Sequence, residues 1–379
     1  MEKMVLGHKD IDVGVPVDWN IYDRNGRLLL RQGMVLQSDK QIHKVITYGA
    51  YRIRDQAEEP VAEQEVETNE SLSPFDNINN AVKELYKILK RMLREVADPN
   101  ANMQNEIYGL SSYLIELCEY DLDATVGAMH LGQIDNYSLF HPICKAVLSN
   151  VIAEQLKLDT SKRLSVVSAA LTANLGMFDL QHTLLAQQEP LTKTQREKIE
   201  KHPAQSAVLL KHWGIKDRLW LQAVLQHHEK QDGSGYPRKL KGDEIKQESR
   251  IISIADRYHA LLAPRKYREG FLPTDAIRHL FKDRGKEIDE ELTLLFVREV
   301  GIYPPGTMVK LKNGETAIVV RRGDDHMKPI VKCVLNDRGI VYPKAITRDT
   351  SSSLVEITGM CPPLKKYKPD LKELWDYKL

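Results

Sequence analysis

Apolar residues recur at spacings of three and four through the middle of the chain. Ile78, Val82, Leu85, Leu89, Met92, Leu93 and Val96 stack on one face of a long amphipathic helix, and comparable periodicity marks residues 107–118, 141–156, 164–175, 194–212, 219–229, 250–262, 275–281 and 290–300. The pattern predicts a mainly α protein built on a helical bundle over residues 77–302. The apolar face of the first helix, residues 77–97, must dock on something, either the bundle core or a second copy in a homodimer. Ahead of the bundle, residues 1–54 read as a small accessory module, β or α/β, in which Asn25-Gly26 between Trp19–Tyr22 and Leu28–Leu30 is a hairpin signal. Residues 55–76 are acidic and poor in aromatics, so they predict a flexible linker. From residue 303 to 379 the helical period gives way to short apolar runs around Asn313-Gly314, predicting a small antiparallel β extension followed by a tail.

Charge and composition narrow the partners. Lys+Arg number 54 against 53 Asp+Glu, which leaves no whole-chain field for nucleic acid or an anionic membrane. Cys118, Cys144, Cys333 and Cys361 lie far apart with no C-x-x-C pair, so neither a disulfide framework nor a thiolate zinc site is indicated. No stretch approaches the roughly 20 apolar residues that span a bilayer, and the N-terminus lacks a secretory apolar core. These features lead to the expectation of a soluble cytoplasmic protein without a transmembrane segment.

Candidate chemistry gathers in the helical region. His141, His202, the pair His227-His228 and Asp256 are of the residue types that bind metals when several helices of a bundle bring them together. A lone helical histidine is more often an ordinary core or surface residue. The pair, however, is followed by a loop in which Gly233 and Gly235 permit tight turns and Pro237 stiffens the exit.

The run from His227 to Pro237, with Arg250–Asp256 and Arg265–Arg268, closely resembles the H-H-E-x-x-D-G-x-G-Y-P, R-I-x-x-I-x-D and R-x-Y-R signatures of the HD-GYP family, a class of cyclic di-GMP phosphodiesterases. The likeness extends from about residue 82 to 305, taking in Tyr137–His141 and His202-Pro203. It implies an HD-type helical bundle in which His141, His202, His227, His228 and Asp256 occupy ligand positions of a bi- or trinuclear iron, manganese or similar centre. It further implies ligand contacts from Gly233, Gly235, Tyr236 and Pro237, with Arg265 and Arg268 on the phosphates.

The sequence departs from the family where the namesake dyad should stand. Ala173 holds the His slot, Asn174 the Asp slot and Met177 the position of a usual Lys. A normal binuclear centre is therefore not expected, while His202, His227 and His228 retain the means to hold one divalent ion. Three functions stay open. One is a signalling protein that binds cyclic di-GMP, or a protein such as a diguanylate cyclase, with little or no hydrolysis. Another is an active phosphodiesterase whose site is rearranged around Asn174, Asp179 or His182. The last is a purely regulatory scaffold. Glu229 and Asp232 beside the histidines read equally as supporting groups or as solvated charges.

Overall fold

The computed structural model describes residues 73–92, 102–132, 136–266, 268–325, 327–364 and 367–377, and of the first 54 residues 3–6, 11, 15, 17, 19–23, 28–30, 34, 36, 38–47 and 50–53. The chain divides into two compact units, Met1–Glu70 and Ser71–Leu379.

In the first unit, β1 (Lys3–Val5), β2 (Ile21–Tyr22), β3 (Leu28–Leu30), α1 (Asp39–Thr47) and β4 (Tyr51–Ile53) form an antiparallel sheet in the order β1-β4-β2-β3 with one helix. Ile21, Leu30, Leu36, Ile42 and Val45 make its core. Strands β2 and β3 pair across the Asn25-Gly26 step, which itself lies outside the described residues, as does most of the expected linker.

The second unit is mainly helical: α2 (Pro74–Met92), α3 (Met103–Tyr120), α4 (Leu122–Leu131), α5 (Tyr137–Gln155), α6 (Thr160–Thr172), α7 (Phe178–Ala186), α8 (Lys193–His212), α9 (Arg218–Gln226), α10 (Gln247–Leu262), α11 (Pro273–Asp283) and α12 (Glu290–Val300). Local chemistry sets many of the ends. Asn102, Asp121, Asp159, Asp217 and Asp289 accept backbone N–H bonds as N-caps, and Thr192 with Gln195 forms a reciprocal capping box. Gly301 stops α12 at φ +85°, where a side chain would be strained. The apolar face of α2 is buried in the bundle core through Ile78, Leu85, Ile88 and Leu89.

Strands β5 (Met308–Leu311), β6 (Thr316–Arg321), β7 (Ile330–Leu335), β8 (Val341–Asp349) and β9 (Ile357–Cys361) form an antiparallel sheet in the order β8-β7-β6-β5-β9, followed by the short α13 (Leu371–Leu374). The β5–β6 turn contains Gly314 at φ +86°, as an Asn-Gly hairpin requires. Among the described residues, no helix is long and apolar enough to cross a membrane.

Candidate functional site

Five helical segments converge on one buried polar cluster. Helix α5 is buried on all sides from Ser138 to Ala153 and carries His141 and, one turn later, Lys145. The end of α6 delivers Ala173 and Asn174, which are held against α8 by Ser206. Its hydroxyl donates to Ala173 O at 2.7 Å and accepts from Gly176 N at 2.8 Å. A Cβ at Gly176 would come within 2.8 Å of His202 O, so only glycine lets this segment lie so close to α8. His202 sits on α8, His227 and His228 follow α9, and Asp256 and His259 come from α10.

The cluster has two halves. In the first, the ligand atoms of His202, His227 and His228 all lie within 4.8 Å of one another. His202 Nδ1 bonds Ile199 O at 2.6 Å and His227 Nδ1 bonds Val224 O at 2.6 Å. A carbonyl oxygen only accepts, so these partners place the proton of each ring on Nδ1 and leave Nε2 with a bare lone pair. The two Nε2 atoms face each other 3.3 Å apart. Burial first, with His228 adding to it, holds His202 down to about 3, and burial holds His228 down to about 4. His227 is pushed well below its usual value by burial and then by His228. The imidazoles are thus neutral near pH 7, and the facing Nε2 lone pairs of His202 and His227 repel unless an electropositive guest lies between them. Neutral rings whose outer N–H is fixed by a carbonyl are the preferred ligands of a divalent ion, and this half fits one.

The second half has a different character. Asp256 Oδ1 accepts from His141 Nε2 at 3.0 Å and from Lys145 Nζ at 3.1 Å, and Lys145 also donates to Asn174 Oδ1. His259 Nδ1 lies 2.8 Å from His141 Nδ1. Because a carboxylate only accepts, the proton of His141 is on Nε2, and its Nδ1 accepts from His259. Burial would push the Asp256 carboxyl up, but the Lys145 ammonium, and after it His141, hold it well below the usual range. Burial lowers the pKa of Lys145, opposed by the charge of Asp256. The family likeness assigns metal-ligand positions to His141 and Asp256; here both direct their inner atoms at one another and at an ammonium. Among the described residues the group spaced to hold an ion is His202, His227 and His228, and His141 and Asp256 lie outside it.

The loop after α9 is locked onto the first half. Tyr236 N donates to His228 O at 3.1 Å, and the Tyr236 ring stacks on His228 with centroids 4.9 Å apart. Gly235 passes so close that a Cβ would meet Glu229 Cα and His228 O at 2.6 Å. Glu229 is not a solvated charge: it is buried and accepts from Arg238 N at 2.6 Å and Leu240 N at 2.9 Å. Asp232 is exposed and accepts from the nearby Ser234 N at 2.9 Å.

The two arginines differ. Arg268 donates to Leu261 O and Glu269 O at 3.1 Å and to Ala260 O at 3.3 Å, so its guanidinium caps the C-terminus of α10. The Arg265 guanidinium lies 5.6 Å over the ring of Tyr137, which stacks on His141 at 4.9 Å. Asp179 lies exposed in the first turn of α7, and His182 is on the same helix rather than in a loop. Lys145 and His259 escaped the sequence reading. The signal for Lys145 was present: a single cation within the apolar run 139–148, four residues after His141 and so on the same helical face.

Comparison with known proteins places these residues in context. The family model described as "HD domain" matches residues 133–292. The Pseudomonas aeruginosa protein named Cyclic di-GMP phosphodiesterase PA4108 is 28% identical over 220 residues, covering 58% of this chain and 53% of its own length. The Borreliella burgdorferi protein named Cyclic di-GMP phosphodiesterase PdeB is 25% identical over 232 residues, covering 61% of this chain and 60% of its own length. The chain therefore spans little more than half of the length of these curated relatives. Among solved structures, Bd1817 of Bdellovibrio bacteriovorus, described as an HDG"Y"P protein, overlays with a TM-score of 0.38 at 15% identity, covering 78% of this chain and 98% of that one. Residues 133–292 match the HD-domain family model, in a chain similar over a longer stretch to proteins named as cyclic di-GMP phosphodiesterases.

Proposed function

We propose that the site binds cyclic di-GMP and hydrolyses it little or not at all, so that the protein signals through occupancy. The observation that carries this is at Ala173 and Asn174. Neither supplies a carboxylate to bridge two cations, and the amide oxygen of Asn174 accepts from Lys145 instead. The names of the relatives supply the nucleotide.

His202, His227 and His228 would hold one divalent ion, iron, manganese or similar. Such an ion supplies a Lewis acid toward a phosphoryl oxygen. The protein's own groups do the remaining work. Tyr236 fixes the ring of His228 by stacking, and Glu229 fixes the loop by accepting two backbone N–H groups. Arg265, resting on Tyr137 beside His141, offers a guanidinium fork to a phosphate, whereas Arg268 is committed to the carbonyls of α10.

Calorimetric titration of the manganese-loaded protein with cyclic di-GMP tests the proposal. Binding should be seen, and Arg265→Ala should weaken it about tenfold or more, the value of one charge-assisted hydrogen bond at roughly 1.5–3 kcal/mol. Arg268→Ala should lower the melting temperature more than the affinity. No heat of binding at millimolar nucleotide would defeat the proposal.

A further inference from the structure

We infer that the Lys145 ammonium is a built-in cation that stands where a second metal ion would otherwise sit, and that it limits the site to one ion. The inference deepens the proposed function by naming why a second ion is excluded, and part of it rests on that reading.

Lys145 has no exposed surface, and its ammonium donates to Asn174 Oδ1 and Asp256 Oδ1. It reaches those atoms from α5, the helix that also carries His141, so the ammonium, the imidazole and the carboxylate form one contact group. Charge closes within that group. One ammonium faces one carboxylate, while His141 and Asn174 are neutral partners. A divalent ion added beside the ammonium would leave this buried group with excess positive charge, since its carboxylate is already paired with Lys145.

The residues at 145 and 174 also suit one another. The Asn174 amide oxygen accepts from the ammonium without adding charge to the group. The two halves of the cluster are unlike in kind: three imidazoles at His202, His227 and His228 whose ligand atoms lie within 4.8 Å of one another, and an internally neutralised ion pair at Lys145 and Asp256. Restoring a carboxylate at position 174 alone would still leave the ammonium between it and Asp256, holding the atoms a second ion would need, so the site should stay at one metal.

Manganese stoichiometry by elemental analysis, after loading and desalting, distinguishes the cases. Wild type and Asn174→Asp should each retain no more than about one ion per chain, and Asn174→Asp/Lys145→Met should rise toward two. Two ions in Asn174→Asp with the lysine present would overturn the inference, as would a folded double variant that stays at one. Should the double variant fail to fold by circular dichroism, anomalous diffraction from manganese-soaked wild-type crystals decides. A single peak at the three histidines supports the inference, and a peak between His141 and Asp256 refutes it. Neither readout depends on nucleotide, so failure to bind cyclic di-GMP would remove the proposed function and leave the role of Lys145 standing.

Discussion

A lysine without exposed surface must find its counter-charge inside the protein, and Lys145 finds it in Asp256. Lys145→Met therefore leaves a buried carboxylate unpaired. Removing one partner of such a pair costs roughly 3–5 kcal/mol, so the variant should unfold at clearly lower denaturant. Lys145→Met/Asp256→Asn should recover part of the loss, since both charges then go together. Equal instability of the single and double variants would argue against the pairing. The histidines add a pH dependence whose sign is fixed by their depressed pKa values. An unfolded imidazole takes up its proton near 6.5, whereas His228 and His202 do so at about 4 and about 3 in the folded chain. Between those limits the unfolded state binds more protons, so the stability these residues contribute is complete above pH 6.5 and lost as pH falls toward 4 and then 3. The melting temperature of metal-free protein should fall steadily from pH 7 to pH 4, and His202→Asn should flatten that fall. A flat profile in wild type would contradict neutral burial.

At the scale of elements, helices were legible where they had one apolar and one polar face, as in α2, α9 and α11. Helix α4 was not, because Ala124–Met129 is buried on successive positions and leaves no stripe to detect. Helix α5 showed in the apolar pattern over residues 141–156, but it is enclosed on every side, so no polar face set Lys145 apart from its neighbours. The histidine loop was legible through its motif, yet its mechanics were not, since the close approach of Gly235 to Glu229 and the bonds made by Glu229 are long-range packing facts. They yield a prediction. Gly235→Ala would drive a methyl group into the backbone of His228 and Glu229, shifting Tyr236 off His228. Manganese binding measured by calorimetry should weaken about tenfold, within the range seen when a group that orients a ligand is lost. Unchanged manganese affinity would show that the loop does not hold the imidazoles.

On the scale of the second unit, the C-terminal sheet is bound into the helical bundle. Arg321 pairs with Asp121 and Arg322 with Asp123, both at the start of α4, and Tyr377 donates to Asp121 at 2.6 Å. Trp375 is buried against Phe75, with ring centroids 5.0 Å apart, over Gly127, where a Cβ would collide with its ring. Sequence alone assigned the segment to strands but not to this surface, because the contacts join residues some 200 positions apart. Trp375→Ala should destabilise the helical unit by roughly 3–5 kcal/mol, as for other buried aromatic truncations, and lower the melting temperature of the site along with it. The decisive property of the molecule is whether it cleaves a phosphodiester with alanine and asparagine at 173 and 174. Prolonged incubation of the manganese- or iron-loaded protein with cyclic di-GMP, followed by chromatography, tests this most directly. The nucleotide should be recovered intact, and repeated turnover to linear or mononucleotide product would contradict the account.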